Sequence, residues 1–454
     1  MKRLPLAIWA MVVGAFAMGA DEFIVAGVVR EISTAFDVSY GAVGHLESVY
    51  ALGVAVGAPV FTVLGVRFGR RSMLFSSAVV FLLGNVLSAL APTYEWVMAG
   101  RVVSATAHGA FLGIAAVFAA ELVEPARKGR AVAVVFSGLT AATVLGAPLG
   151  AAVGQALGWR FTFWTLVVLG GVAILGLLAT LPANANPTTH HPAPDTRHEH
   201  GPDHHSGHAT LTDADLEGLD AHALAHLGGG GHGPTMGEQA RALTRPGVWG
   251  ALLVTMLGYG GVFTSYVYAA PQITDVTGME PRWITPMLLL FGAGLFVGNH
   301  VGGKLADRNL PVAVLVTLSA LAASLFAMTA AIRTPVTAIV MMFVFGMAAF
   351  SVVAPLQLRV MTAAGHAPDV ASAANISAFT LGSAIGIYLG GAAIDGGLGL
   401  ASVNWVGGLM TLAGLAVAVL TLRTRGADAD THAQAGAHVH EPVHEPEHAH
   451  HHAH

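Results

Sequence analysis

Charged side chains inside otherwise apolar sequence mark where this chain could do chemistry. Asp21 and Glu22 follow the uncharged run from Leu4 to Ala20, Glu47 stands in a long apolar stretch with His45 close by, and Arg101 precedes another, with His108 seven residues on. A carboxyl held in a low-dielectric setting within reach of an arginine takes up or releases its proton according to which side admits water, so this set suits proton movement. Glu22 is the first choice of proton carrier and Asp21, about 100° away on a helix, the alternative. The competing reading is that one or both simply meet interfacial water. An arginine about two turns inside a membrane span is functional by default, or else it snorkels to the headgroups. His108 falls on nearly the same helix face as Arg101, for packing or for a proton relay.

The elements that must position these residues follow from composition. Of the 454 residues, 54% are hydrophobic and only 10% charged, against about 25% charged in ordinary soluble proteins. Apolar runs bounded by charges or by Pro/Gly turns predict spans near 6–28, 41–65, 73–92, 95–120, 131–153 and 160–182. A second set falls near 247–270, 283–305, 311–331, 334–357, 370–394 and 401–423. The expected fold is an all-α membrane protein of six plus six helices. Its domains are a first bundle at 1–183, a cytoplasmic linker at 184–245, a second bundle at 246–425 and a tail at 426–454. Linker and tail are rich in His and lack apolar periodicity, so both are expected to be disordered. A β-barrel is disfavoured because the apolar runs are continuous rather than alternating.

Lys2, Arg3, Arg67, Arg70, Arg71, Arg127, Lys128, Arg130, Lys304, Arg308, Arg359, Arg423 and Arg425 fall on one side of this span order. Positive loops stay cytoplasmic, so both termini and the linker are expected there. There is no cysteine, which excludes disulfides and thiolate metal sites. The net charge of -5 suggests no nucleic-acid partner. With no nucleophile paired to a base, no phosphate-cradling loop and no ordered metal triad, an enzyme is not expected.

Two connections at matching places in the halves read Leu64-Gly65-Val66-Arg67-Phe68-Gly69-Arg70-Arg71 and Gly303-Lys304-Leu305-Ala306-Asp307-Arg308. Together they resemble the G-x-L-A-D-R-x-G-R-R signature of the major facilitator superfamily. The first copy departs from it, with Thr62 at the first glycine position and Val66 at the acidic one. The fifth span carries Gly138, Gly146, Pro148 and Gly150 at the spacing of the antiporter signature of the drug/proton exporters in that superfamily. Arg101 to Gly113 resembles the arginine-bearing fourth helix of chloramphenicol-efflux and arabinose-efflux exporters, and Asp21-Glu22-Phe23 stands where drug/proton exporters carry an acidic signature.

The resemblance implies two pseudo-twofold related halves that rock about a central site, and a proton-coupled antiporter of chloramphenicol-like drugs or sugars, working as a monomer in the bacterial inner membrane. On that reading Glu22, Asp21, Arg101, Glu47 and His108 couple protons, and Gly69, Arg70, Arg71, Gly303, Asp307 and Arg308 form gating loops. Asn375 is a candidate for substrate hydrogen bonding. The partners are a small-molecule substrate, protons and the bilayer, and no cofactor is expected.

Of 23 histidines, ten lie in the linker and nine beyond Arg425. Imidazole ligates Zn, Ni and Cu, so weak divalent metal binding is expected, with His198, His200, His204 and His205 as the candidate ligands. The alternative function is accordingly export of, or response to, Zn, Ni or Co.

Overall fold

With no water to satisfy backbone polar groups in a bilayer, uncharged runs of this length must close their hydrogen bonds internally, as helices. The computed structural model describes residues 4–65, 70–124, 127–181, 244–365 and 368–437. The first half contains α1 (Leu6–Ile24), α2 (Val29–Phe36), α3 (Tyr40–Gly65), α4 (Arg70–Ala89), α5 (Tyr94–Glu121), α6 (Lys128–Leu157) and α7 (Trp159–Thr180). The second contains α8 (Pro246–Tyr266), α9 (Ile284–Arg308), α10 (Leu310–Ala331), α11 (Pro335–Ser351), α12 (Val353–Ala364), α13 (Pro368–Ala393) and α14 (Ser402–Ala437). Among the described residues, 11 helical stretches are long and apolar enough to cross a membrane. The 26-residue α3 holds the remaining, second place.

Several boundaries differ from expectation. The first span ends at Ile24 and passes through a 3-10 turn into α2, an amphipathic helix with Val29 and Ile32 buried. The span expected at 334–357 is two helices, α11 and α12, broken at Val352. Gly303, Asp307 and Arg308 are not in a loop but in the last two turns of α9, and Arg70 and Arg71 open α4. In α9 the helix runs on to Arg308 with Gly302 and Ala306 on its buried side. Gly69, the four candidate metal ligands His198, His200, His204 and His205, and nearly all of the 184–245 linker lie outside the described residues. The expected tail boundary at 425 falls inside α14.

In each half several helix pairs are drawn together by glycine, the α1–α6 and α8–α13 pairs among them. A Cβ at Gly138 or Gly150 of α6 would lie 2.3 Å from the backbone oxygen of Val12 or Ile24 of α1. Gly382 and Gly386 of α13 stand in the same way 2.2 and 2.1 Å from the oxygens of Met256 and Gly260 of α8. No other residue permits so close an approach. The halves meet where α3 faces α13 and where α6 crosses α9. At the second crossing a Cβ on Gly292 would sit 2.7 Å from Val144 Cγ1.

Candidate functional site

Arg101 is held on α5 two turns from its start and is fully buried. Its Nη1 donates to Asp21 Oδ1 of α1 at 2.5 Å and to the Asp21 backbone oxygen at 2.7 Å. Its Nη2 donates to Glu47 Oε2 of α3 at 2.8 Å, and the guanidinium lies 4.0 Å above the Tyr50 ring. The snorkelling alternative is thereby settled, since a 0% exposed guanidinium with two carboxylate partners reaches no headgroup. One cation thus bridges two acids from two other helices, the pairing that burial of charge demands.

Around this bridge the polar partners are few. Asn85 of α4 donates to Asp21 Oδ2 at 3.1 Å. The Tyr50 hydroxyl bonds the Met18 backbone oxygen at 3.2 Å and His108 Nδ1 at 3.0 Å. Neither Asn85 nor Tyr50 is among the residues picked from sequence. Both left a signal: Asn85 is a lone amide in the uncharged run of α4, and Tyr50 follows Glu47 by three residues, one face of a helix.

Glu22 points elsewhere. It is half-buried and lines a cavity of about 450 Å³ between the halves, together with His108, Leu112, Thr143, Tyr259, Phe263 and Phe379. The walls are mainly apolar and aromatic: Tyr259 meets Phe379 edge-on at 4.7 Å, and Phe23, next to Glu22, stacks on Phe263 of the other half at 5.9 Å. Ser377, Thr380 and Ser383 of α13 supply hydroxyls on the wall opposite Glu22. Asn375 is not on that wall. It is fully buried and donates to Gln357 Oε1 at 2.6 Å, tying α13 to α12.

The four residues of the fifth-span signature are not among those lining the cavity; Gly138, Gly146 and Gly150 are buried against α1, and Pro148 is buried inside the helix, where it withholds a backbone donor. Of the candidate gating residues, Arg71 donates to the Leu181 backbone oxygen at 3.3 Å and fastens α4 to the end of α7. Asp307 and Arg308 are exposed at the end of α9.

Beyond the cavity, at the end where α2 and the start of α3 lie, the halves are joined. Tyr40 donates to Asp275 Oδ2 at 2.6 Å, Arg30 lies 3.9 Å from Asp275 Oδ1, and Gln155 donates to the Pro281 backbone oxygen at 2.9 Å. Burial pushes the neighbouring Glu31 carboxyl above the usual carboxylate range. At the other end of the helices stand Arg71, Arg127, Lys128, Arg130, Lys304, Arg308 and Arg423.

Comparison with known proteins gives one consistent answer. The Major Facilitator Superfamily model matches residues 11–386. The inner membrane transport protein YdhP of Escherichia coli is 37% identical over 92% of this chain and 95% of its own. A chloramphenicol resistance protein of Streptomyces lividans is 32% identical over 94% of this chain and 99% of its own. The putative transporter AraJ of Escherichia coli is 28% identical over 92% of this chain and 95% of its own. In fold, the chain resembles a bacterial homologue of the human lysosomal transporter Spinster, solved inward-facing and unoccupied, with a TM-score of 0.61 at 18% identity over 92% of this chain and 96% of the other.

Proposed function

This chain belongs to the Major Facilitator Superfamily, a family of membrane transporters rather than enzymes, and from its interior we propose that it is a proton-coupled exporter of small organic molecules. The observation that carries the reading is Arg101 held between Asp21 and Glu47 beside a cavity into which Glu22 projects. One guanidinium balances one carboxylate. The second is balanced only by a proton, so the cluster and Glu22 together form a buried store whose charge changes with access to water.

The alternating cycle follows from which contacts must break. In the present arrangement the Tyr40, Arg30 and Asp275 contacts hold one end shut. Positive-inside bias assigns the other, basic end to the cytoplasm, with both termini, in a multi-pass inner-membrane protein. Substrate enters from that side and rests against Tyr259, Phe263 and Phe379; outward opening then exposes Glu22 to the outer solvent, where substrate leaves and a proton is taken up. Mostly apolar walls with a few hydroxyls favour an amphiphilic, chloramphenicol-like body over a sugar, which would need more hydrogen-bond partners than this wall offers.

The test is dye-monitored proton movement in everted vesicles carrying wild type or Glu22→Gln, challenged with chloramphenicol, arabinose, Zn and Ni. An organic compound should release protons in wild type and not in the variant. A response to metal ions alone would overturn the reading and move the function to the His-rich segments.

A further inference from the structure

The hydroxyls on the walls of the central cavity all spend their protons on their own helices. Thr143 of α6 donates to the Leu139 backbone oxygen at 3.0 Å, and Thr380 of α13 to those of Ile376 and Ser377 at 3.2 and 3.1 Å. Ser383 donates to that of Phe379 at 2.9 Å and Ser377, at the longest reach, to that of Ala373 at 3.5 Å. The three on α13 recur every third residue, so they form one stripe about 9 Å long on the cavity side of that helix.

A hydroxyl has one proton and two lone pairs. With its proton on a helix carbonyl, accepting from a ligand adds a bond, and the first bond polarises the oxygen so that it accepts better. Donating to a ligand instead breaks the bond to the carbonyl, so that exchange adds none. Ionised Glu22 on the facing wall also only accepts. Against these five acceptors stand the Tyr259 phenol as a donor and His108, which is tied at Nδ1 to the Tyr50 hydroxyl and takes either role at its other ring nitrogen. The rings of Phe263 and Phe379 hold an apolar body between the polar groups.

We propose that the cavity sorts ligands by the direction of their hydrogen bonds: it takes amphiphiles that carry two or more O–H or N–H groups on an apolar body, and discriminates against those whose polar groups only accept, such as ethers, esters and ketones. An acceptor-only ligand leaves its water partners outside and meets few donors inside, so its desolvation goes uncompensated. The inference rests on the transport reading above and names which polar groups the substrate presents; its test reads binding and needs no transport.

Chloramphenicol and its 3-deoxy-3-fluoro analogue differ by a single hydroxyl, and 6-phenylhexane-1,2-diol with its dimethyl ether makes a second pair on an unrelated scaffold. In isothermal titration calorimetry of the full chain in lipid nanodiscs, the donor-bearing member of each pair should bind about tenfold more tightly, the worth of about one hydrogen bond. Thr380→Val nearly keeps the shape of the wall while removing an acceptor, and should cut the ratio to about threefold. Ser377→Ala acts in the same way one turn away and serves if the valine variant folds poorly. Equal affinities within both pairs, or ratios that neither replacement alters, overturn the proposal and leave the transport reading standing. If the chloramphenicol pair does not bind while the diol pair keeps its ratio, the donor rule holds and the chloramphenicol-like body of the transport reading falls. Binding by neither pair overturns the proposal.

Discussion

The α1–α6 and α8–α13 pairs rest on the same contact, glycine of one helix against backbone oxygen of the other, and differ in what surrounds it. Next to the first pair stand Asp21, Glu22, Glu47 and Arg101. Next to the second, the buried polar groups near its upper end are neutral: Ser265 donates to Asn404 Oδ1 at 2.6 Å, and Asn404 donates to Gln272 Oε1 at 2.7 Å. Close packing is thus common to both halves; among the described residues the first half holds a buried cluster of acids around an arginine, while the second holds Arg359, buried and bonded to the Thr421 hydroxyl. Unequal interiors suit the proposed coupling, in which one half handles the proton and the other supplies a passive wall.

The sharpest way to break that comparison is Arg101→Met. It strands two buried carboxyls and should cost about 3–5 kcal/mol, whereas Asn404→Ala in the neutral network should cost about 1–3 kcal/mol. Thermal unfolding in detergent measures both; equal losses would mean the charge is no different in kind from the amides. Next in size, Gly138→Ala and Gly382→Ala should each lose about 1–3 kcal/mol, because their new methyl groups meet backbone rather than a movable side chain. A loss in only one half would show that the shared contact is not shared in energy.

Smaller is Tyr40→Phe, which removes one hydrogen bond across the closed end and should loosen it by about 0.5–1.5 kcal/mol. Faster amide exchange in 272–276 would report it, and unchanged exchange would assign the closure to packing. Least of all in stability, Glu22→Gln should shift unfolding by no more than about 0.5 kcal/mol, since the side chain borders open space. Its effect is expected in proton release alone, and a large stability loss would place Glu22 with the structural charges.

Span order and the basic end were legible because hydropathy and Lys/Arg placement are local properties of the chain. The candidates Asp21, Glu47, Arg101 and His108 were legible too, as polar residues that an apolar run does not tolerate without reason. Their joining was not, because which carboxylate meets Arg101 depends on the rotation and depth of three helices relative to one another. The same limit explains Asn375: its type suggested substrate, but the turn of α13 that faces the cavity presents Ser377, Thr380 and Ser383. The break at Val352 and the stem α2 were hidden for another reason. Apolar sequence continues through the first, and the second is too short for its periodicity to stand out.

The crossing of α6 and α9 at Val144 and Gly292 has a mechanical consequence. Val144 lies near the middle of α6, but Gly292 lies eight residues from the start of α9 and 16 from its end, so in the proposed rocking cycle the crossing acts as the fulcrum of a lever whose α9 arms are unequal. Narrowing α9's shorter-armed end by a given distance then spreads its longer-armed end by more, and the two ends do not gape together. The hydrogen atom that serves Gly292 as a side chain sets the pivot's clearance: any larger group there would lift the helices apart and give play to both ends at once.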